Sequence, residues 1–125
     1  MAKGQAHVPA DGHGPDQDLL IEVSRSTDGT VLGVSGDLDH VSAPLLARAI
    51  ERAIESYDGD AGRIVLDLHG VDFVDSAGVA VLATAAVKLR DQGGLGLVNV
   101  TRQVGRVLTI SGIGSVLDWD GAGAD

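Results

Sequence analysis

Apolar and polar residues alternate over LLIEVS (Leu19–Ser24) and again over TVLGVS (Thr30–Ser35). A period of two predicts two short strands, and Asp28-Gly29 in the RSTDG between them predicts a hairpin turn. The period then changes. In APLLARAIERAIESY, Leu46, Ala49, Ile50, Ala53, Ile54 and Tyr57 recur at helical spacing, with Arg48, Glu51, Arg52 and Glu55 on the other face. That is an amphipathic surface helix, with Ser42 expected as its N-cap and Pro44 in its first turn.

DGDAG breaks this helix, and RIVLDL (Arg63–Leu68) has the continuous apolar centre expected of a strand covered on both faces. From Ser76 a second helix is predicted, turning Val79, Leu82, Ala83, Ala86 and Leu89 inward and closing at Lys88, Arg90 and Gly93-Gly94. LGLVNV (Leu95–Val100) is a further buried strand. Thr101 is placed to cap a third helix carrying Val104, Val107 and Leu108, and SVLDW supplies a last short strand.

The predicted order is β-β-α-β-α-β-α-β. It implies a single α/β domain with a mixed, mostly parallel sheet. Functional loops of such sheets gather at the carboxyl ends of the strands, which directs attention to Gly36–Ser42 and His69–Ser76. The opening MAKGQAHVPADGHGPDQD has almost no apolar content, so residues 1–18 are expected to be a disordered tail. The domain is then expected over 19–120, with 121–125 as a second short tail.

Composition narrows the function. With 44% hydrophobic but only 2% aromatic residues, the core must be built from Val, Leu, Ile and Ala. A net charge of −9 argues against nucleic acid and anionic lipid as partners. Cysteine is absent, which removes disulfides, thiolate zinc sites and cysteine nucleophiles. No apolar stretch approaches the length of a membrane span and no secretory leader is evident, so a cytoplasmic domain is expected.

The stretch VDFVDSAGVAVL (residues 71–82) concentrates the candidate chemistry. Ser76 lacks the G-x-S-x-G setting of a hydrolase nucleophile, since Val74 stands two residues before it. No phosphate-binding glycine loop is present, and Gly93–Gly96 precedes a strand instead of opening a helix. Asp37, Asp39, Asp72 and Asp75 are acids near strand ends, but a receiver-type site also needs a Lys at the end of a later strand, and Lys88 is on a helix. They are best explained as loop acids that cap helices. His40 and His69 are expected to be solvated, and Trp119 to have a packing role. No metal and no cofactor are expected.

Ser76 is then a residue to be modified. In the first turn of a helix, a phosphoryl group is expected to meet open backbone N–H groups and the positive end of the dipole. It would leave the fold intact while adding roughly −1.5 to −2 charges to a patch already acidic from Asp39, Asp72 and Asp75. From Ser76 to Val87 there is no charged side chain. The outer face of that helix, Ala77, Ala80, Val81 and Thr84, is small and uncharged, which allows another backbone to approach closely.

These features resemble the STAS domain, specifically the stand-alone bacterial anti-sigma factor antagonists, over residues 19–120. GDLDHVSAP resembles the family's G-[DE]-L-D-x-x-[ST]-A region, and IVLDLHGVDFVDSAGVAVL its strand and D-S-[ST]-G-[LV] signature. VLTISGIGSVLDW resembles its third helix and last strand.

The resemblance implies an unphosphorylated protein that binds an anti-sigma factor with serine kinase activity, and so regulates sigma-factor-dependent transcription. Phosphorylation at Ser76 would release the partner, and a PP2C-type phosphatase would restore the serine. It implies a binding site of Asp39, Asp75, Ser76, Ala77, Gly78, Ala80, Val81 and Thr84, with the kinase supplying the chemistry and this chain no enzyme. Ala77 stands where many members carry a second hydroxyl, leaving Ser76 as the one acceptor of the motif. The alternative is a STAS module of a transport, lipid-trafficking or stress-sensing complex without a serine switch.

Overall fold

In a computed structural model, the structure describes residues 19–26, 29–55, 63–113 and 117–119. The expected tails 1–18 and 121–125, Asp28, Tyr57 and the DGDAG break lie outside the described residues, as does the setting of the Trp119 side chain. Among the described residues, five strands and three helices follow in the predicted order: β1 (Leu20–Ser26), β2 (Gly29–Leu38), α1 (Ala43–Glu55), β3 (Arg63–Val74), α2 (Ser76–Lys88), β4 (Leu95–Val98), α3 (Arg102–Ser111) and β5 (Asp118–Trp119). The sheet has the order β1-β2-β3-β4-β5, with β1 antiparallel to β2 and every other pair parallel. The expected α/β class and mixed sheet are the ones found.

The register explains the core. Val23 lies opposite Leu32, Leu32 opposite Leu66, and Leu66 opposite Leu97, so one row of aliphatic side chains crosses four strands. Leu32 and Leu66 are fully buried in it, and Leu46 of α1, Leu82 of α2 and Leu108 of α3 are fully buried in the same core. All buried hydrophobic residues described are aliphatic, as the composition requires. Each fully buried Leu contributes about 1.5–3 kcal/mol by leaving water, so truncating one to Ala costs about 2–5 kcal/mol.

The other face of the sheet is only half covered, which corrects the expectation of strands buried on both sides. Val65 and Asp67 of β3 are half-buried, and Leu20, Val31 and Val98 are exposed by 37–49%. The apolar run at Arg63–Leu68 reflects Val65 filling a half-covered position.

Both middle strands run past their predicted ends. The β2–β3 register pairs Gly33 with Asp67, Ser35 with Gly70 and Asp37 with Phe73, so β3 carries an extra residue at each of two bulges. Burial along β3 follows suit: Ile64, Leu66 and Leu68 are two apart, whereas Leu68, Val71 and Val74 are three apart. Residues 69–74 are therefore strand, and the loop expected over His69–Ser76 shrinks to Asp75 alone. Gly70 sits at one of these steps, where an added Cβ would come within 2.4 Å of the Ser35 side chain.

Candidate functional site

Because β2 and β3 are parallel neighbours, their carboxyl ends lie side by side, with Leu38 paired to Val74. The chain leaves β2 through a tight turn at Asp39 and leaves β3 through Asp75 into α2. The Asp75 N–H donates to the Leu38 carbonyl at 3.1 Å, joining the two exits.

The Asp39 turn is built from its own side chains. Asp39 Oδ1 accepts the N–H groups of Val41 and Ser42, both at 3.0 Å, and lies 3.2 Å from the Ser42 hydroxyl, sharing the one proton that Ser42 turns mainly to the Asp37 carbonyl. These bonds, the one from the Ser42 N–H above all, outweigh a smaller opposing effect of burial and hold the Asp39 carboxyl below its ordinary value. Ser42 Oγ donates to the Asp37 carbonyl at 2.7 Å and accepts the Asp39 N–H at 3.0 Å. Ser42 thus precedes α1 as expected, but its buried hydroxyl faces back into the turn and does not cap the helix. The turn occupies it.

At the second exit Asp75 is the N-cap of α2, with extended backbone and Oδ1 accepting from Ala77 N at 2.8 Å and Gly78 N at 3.2 Å. This corrects the expected environment of a phosphoryl group, because the N–H groups of Ala77 and Gly78 are already taken. A group added at Ser76 would instead lie beside the Asp75 carboxylate. Ser76 itself is exposed, as the first residue of α2, and its hydroxyl makes no hydrogen bond among the described residues.

Gly78 is buried under the first turn. A Cβ there would lie 2.6 Å from Val74 Cγ2, 2.8 Å from Leu38 Cγ and 2.9 Å from the Leu38 carbonyl oxygen. Of the residues expected in the binding site, Gly78 therefore acts from inside, by letting α2 settle onto the strand ends. The outer stripe of α2 is Ser76, Ala80, Thr84 and Val87, all exposed, with Ala77 and Val81 half-buried beside it. Inside, Leu82, Ala86 and Leu89 are buried as predicted; Gly78 and Ala85 join them, and Val79 and Ala83 are half-buried against the core. Ala80, Val81 and Thr84 also form one wall of a shallow groove whose other wall is Ala47 and Ile50 of α1, with Glu51 and Lys88 paired across it.

Two exposed apolar side chains stand at the carboxyl ends of β2 and β3, where the sequence pattern gives no sign of them. Phe73, the one phenylalanine, is 48% exposed at the end of β3, and Val41 is 41% exposed in the Asp39 turn. An alternating strand pattern gave no signal for Phe73, since the bulges reset which residues face out. Asp37 and Asp72 are exposed on the same strand ends.

The remaining polar cluster lies on β3 and beyond β4. Asp67 Oδ1 accepts Asn99 Nδ2 at 3.0 Å and the His69 N–H at 3.1 Å, with His69 Nδ1 at 3.3 Å. Burial works to raise the Asp67 pKa, but the bonds from Asn99 and His69 together outweigh it and the net shift is downward. Asn99 adopts a left-handed φ of 55° to reach it. Thr101 caps α3 as predicted, accepting Val104 N at 3.3 Å, and donates to the Val71 carbonyl at 3.1 Å.

This fold and signature define a known class. The family model described as "Mlab, STAS domain" matches residues 21–118, and the chain belongs to the STAS domain family. It is 27% identical over 101 residues to the anti-sigma F factor antagonist of Paenibacillus polymyxa, covering 80% of this chain and 85% of that protein. It is 29% identical over 104 residues to the anti-sigma-B factor antagonist of Listeria monocytogenes, covering 81% and 88%. Among solved structures, an anti-sigma factor antagonist from Mycobacterium paratuberculosis superposes with a TM-score of 0.74 at 28% identity, covering 85% of this chain and 87% of that one. The anti-sigma factor antagonist SpoIIAA in its unphosphorylated form shares the fold, with a TM-score of 0.62 at 23% identity over 79% of this chain and 86% of that one. Among the described residues, no helix is long and apolar enough to cross a membrane.

Proposed function

We propose that this protein is an anti-sigma factor antagonist, switched by phosphorylation of Ser76. Unmodified, it binds an anti-sigma factor that carries serine kinase activity and thereby frees a sigma factor for transcription. Once Ser76 is phosphorylated the partner is released, and a PP2C-type phosphatase resets the protein. The kinase and its ATP supply the chemistry, and this chain supplies an acceptor and a docking face.

One observation carries the reading. Asp75 takes the cap, so the Ser76 hydroxyl is left exposed and unengaged at the head of an uncharged stripe. A hydroxyl so placed can enter a kinase site without the domain unfolding. The added phosphate finds the N–H groups of Ala77 and Gly78 occupied and a carboxylate on the preceding residue, so it stays largely in water as an exposed dianion. A partner that packs on Ala80, Thr84 and Val87 then has to desolvate that charge with nothing on this surface to offset it. Switching therefore acts on recognition and spares the fold.

The relatives named as anti-sigma factor antagonists support the role. The test is incubation with a cognate anti-sigma kinase and ATP, followed by intact-mass measurement. One phosphate on the wild type and none on Ser76→Ala is the expected result. Phosphate retained by Ser76→Ala, or absent from both, supports the alternative of a STAS module without a serine switch.

A further inference from the structure

Three of the nine cationic side chains of this acidic protein, Arg25, Arg48 and Arg52, line one cleft. It runs between β1 and α1, has a volume of about 200 Å³, and shares no residue with the Ser76 site. Its apolar floor includes Ile21 and Val23, alternate residues on one face of β1, and Leu19 just before the strand, with Leu45 and Ala49 of α1 opposite. Arg48 and Arg52 are exposed, and neither forms an ion pair with another described residue. Among the described residues β1 is hydrogen-bonded on one side only, to β2, so the cleft runs along an open strand edge.

We propose that this cleft docks an extended, acidic segment of a partner protein, which adds to β1 as an outer strand. Three features select that occupant. An open edge offers a row of backbone donors and acceptors that only another extended chain can match along its length. The floor repeats every second residue of β1, about 6.8 Å apart, which is the repeat of side chains on one face of an incoming strand. Arg48 and Arg52 are one helical turn apart, about 6 Å along α1, so their spacing is close to that same repeat. Guanidinium groups at that interval suit carboxylates at alternate positions of the segment. The chain as a whole carries a net charge of −9 and repels an acidic segment, so the arginine-lined edge is where one is attracted.

The probe is a fluorescein-labelled peptide of alternating valine and glutamate with serine ends, and its valine–lysine counterpart is the control. Binding to the full chain is followed by fluorescence anisotropy at low salt, and by hydrogen exchange of the β1 amides. The glutamate peptide is expected to bind and to slow β1 exchange, the lysine peptide to do neither. Arg48→Glu with Arg52→Glu is expected to weaken the glutamate peptide by about tenfold or more and to admit the lysine peptide. Arg48→Gln with Arg52→Gln, a gentler pair, is expected to lose affinity in the same direction, and Ser76→Asp to change nothing. Failure of the glutamate peptide to bind, equal binding of both peptides, or indifference to both arginine pairs would overturn the proposal. So would a dimer of the unliganded chain that either arginine pair dissolves, because the cleft would then be a contact between copies.

Discussion

The Asp75 N–H donates to the Leu38 carbonyl at 3.1 Å, which fastens the residue before Ser76 to the end of the neighbouring strand. Gly78 rests on the same Leu38 through its bare Cα. The acceptor serine is thus held from two sides by one residue of β2, while its own hydroxyl is left out of every bond described. Rigid placement and chemical availability are combined at adjacent positions.

The first consequence concerns the cap. Asp75→Ala removes the acceptor for Ala77 N and Gly78 N and is expected to cost about 1 kcal/mol, within the range of about 0.5–2 kcal/mol typical of N-cap losses. Asp75→Asn keeps an oxygen acceptor and is expected to retain most of that stability. Chemical denaturation of the two variants beside wild type checks the difference; equal stability of all three would contradict the assigned cap.

Gly78→Ala pits two effects against each other. In a helix interior, Ala is favoured over Gly by about 1 kcal/mol. Here the new methyl would meet the Leu38 backbone oxygen at 2.9 Å and Val74 at 2.6 Å. Backbone cannot yield as a side-chain tip does, so overpacking of about 1–3 kcal/mol is expected to prevail. The variant should unfold at a lower denaturant concentration and show shifted amide resonances around Ser76.

Acid is expected to loosen the strand exits. Asp39 and Asp67 both have pKa values lowered in the folded state, so the unfolded chain binds their protons at a higher pH than the folded chain does. The stability they contribute is fully present above the ordinary carboxylate value of 3.8 and is lost as pH falls through it toward their lowered values. Asn99→Ala removes one donor to Asp67, so its stability deficit relative to wild type should be largest near neutral pH and shrink on acidification. Thermal unfolding across pH 7 to about pH 3 measures this, and a deficit that grew with acid would contradict the sign.

Phe73 separates docking from folding. At 48% exposure it contributes modestly to the core, and Phe73→Ala is expected to change stability by less than about 1 kcal/mol. If the partner covers the Ser76 stripe and its rim, the same change should weaken binding by about tenfold, as loss of an aromatic anchor does. Titration calorimetry with an anti-sigma factor reads the second quantity and a melting curve the first.

Much of this was visible in the sequence, and the exceptions have separate physical sources. Strand and helix order followed from the switch between periods of two and 3.6, and the cap at Thr101 from its side chain. The choice of Asp75 over Ser76 as the cap of α2 came from the structure. The ends of β2 and β3 were not legible, because two bulges change the spacing of buried residues from two to three and disguise strand as loop. The same bulges hid the exposure of Phe73. Ser42 misled for a different reason: its position before α1 is that of a cap, but the Asp39 turn claims its hydroxyl first. The cleft along β1 depends on how α1 lies against the sheet edge, which no local pattern encodes.

The central claim is that charge on Ser76 governs recognition without disturbing the fold. Its most direct test is the affinity of a cognate anti-sigma factor for wild type, Ser76→Ala and Ser76→Asp, measured side by side with their melting temperatures. Ser76→Ala is expected to bind like wild type and to resist inactivation by ATP, and Ser76→Asp to bind at least about tenfold more weakly while melting within a few degrees of wild type. Equal affinity of the Ala and Asp variants would contradict the account, as would an Asp variant that loses binding only because it unfolds.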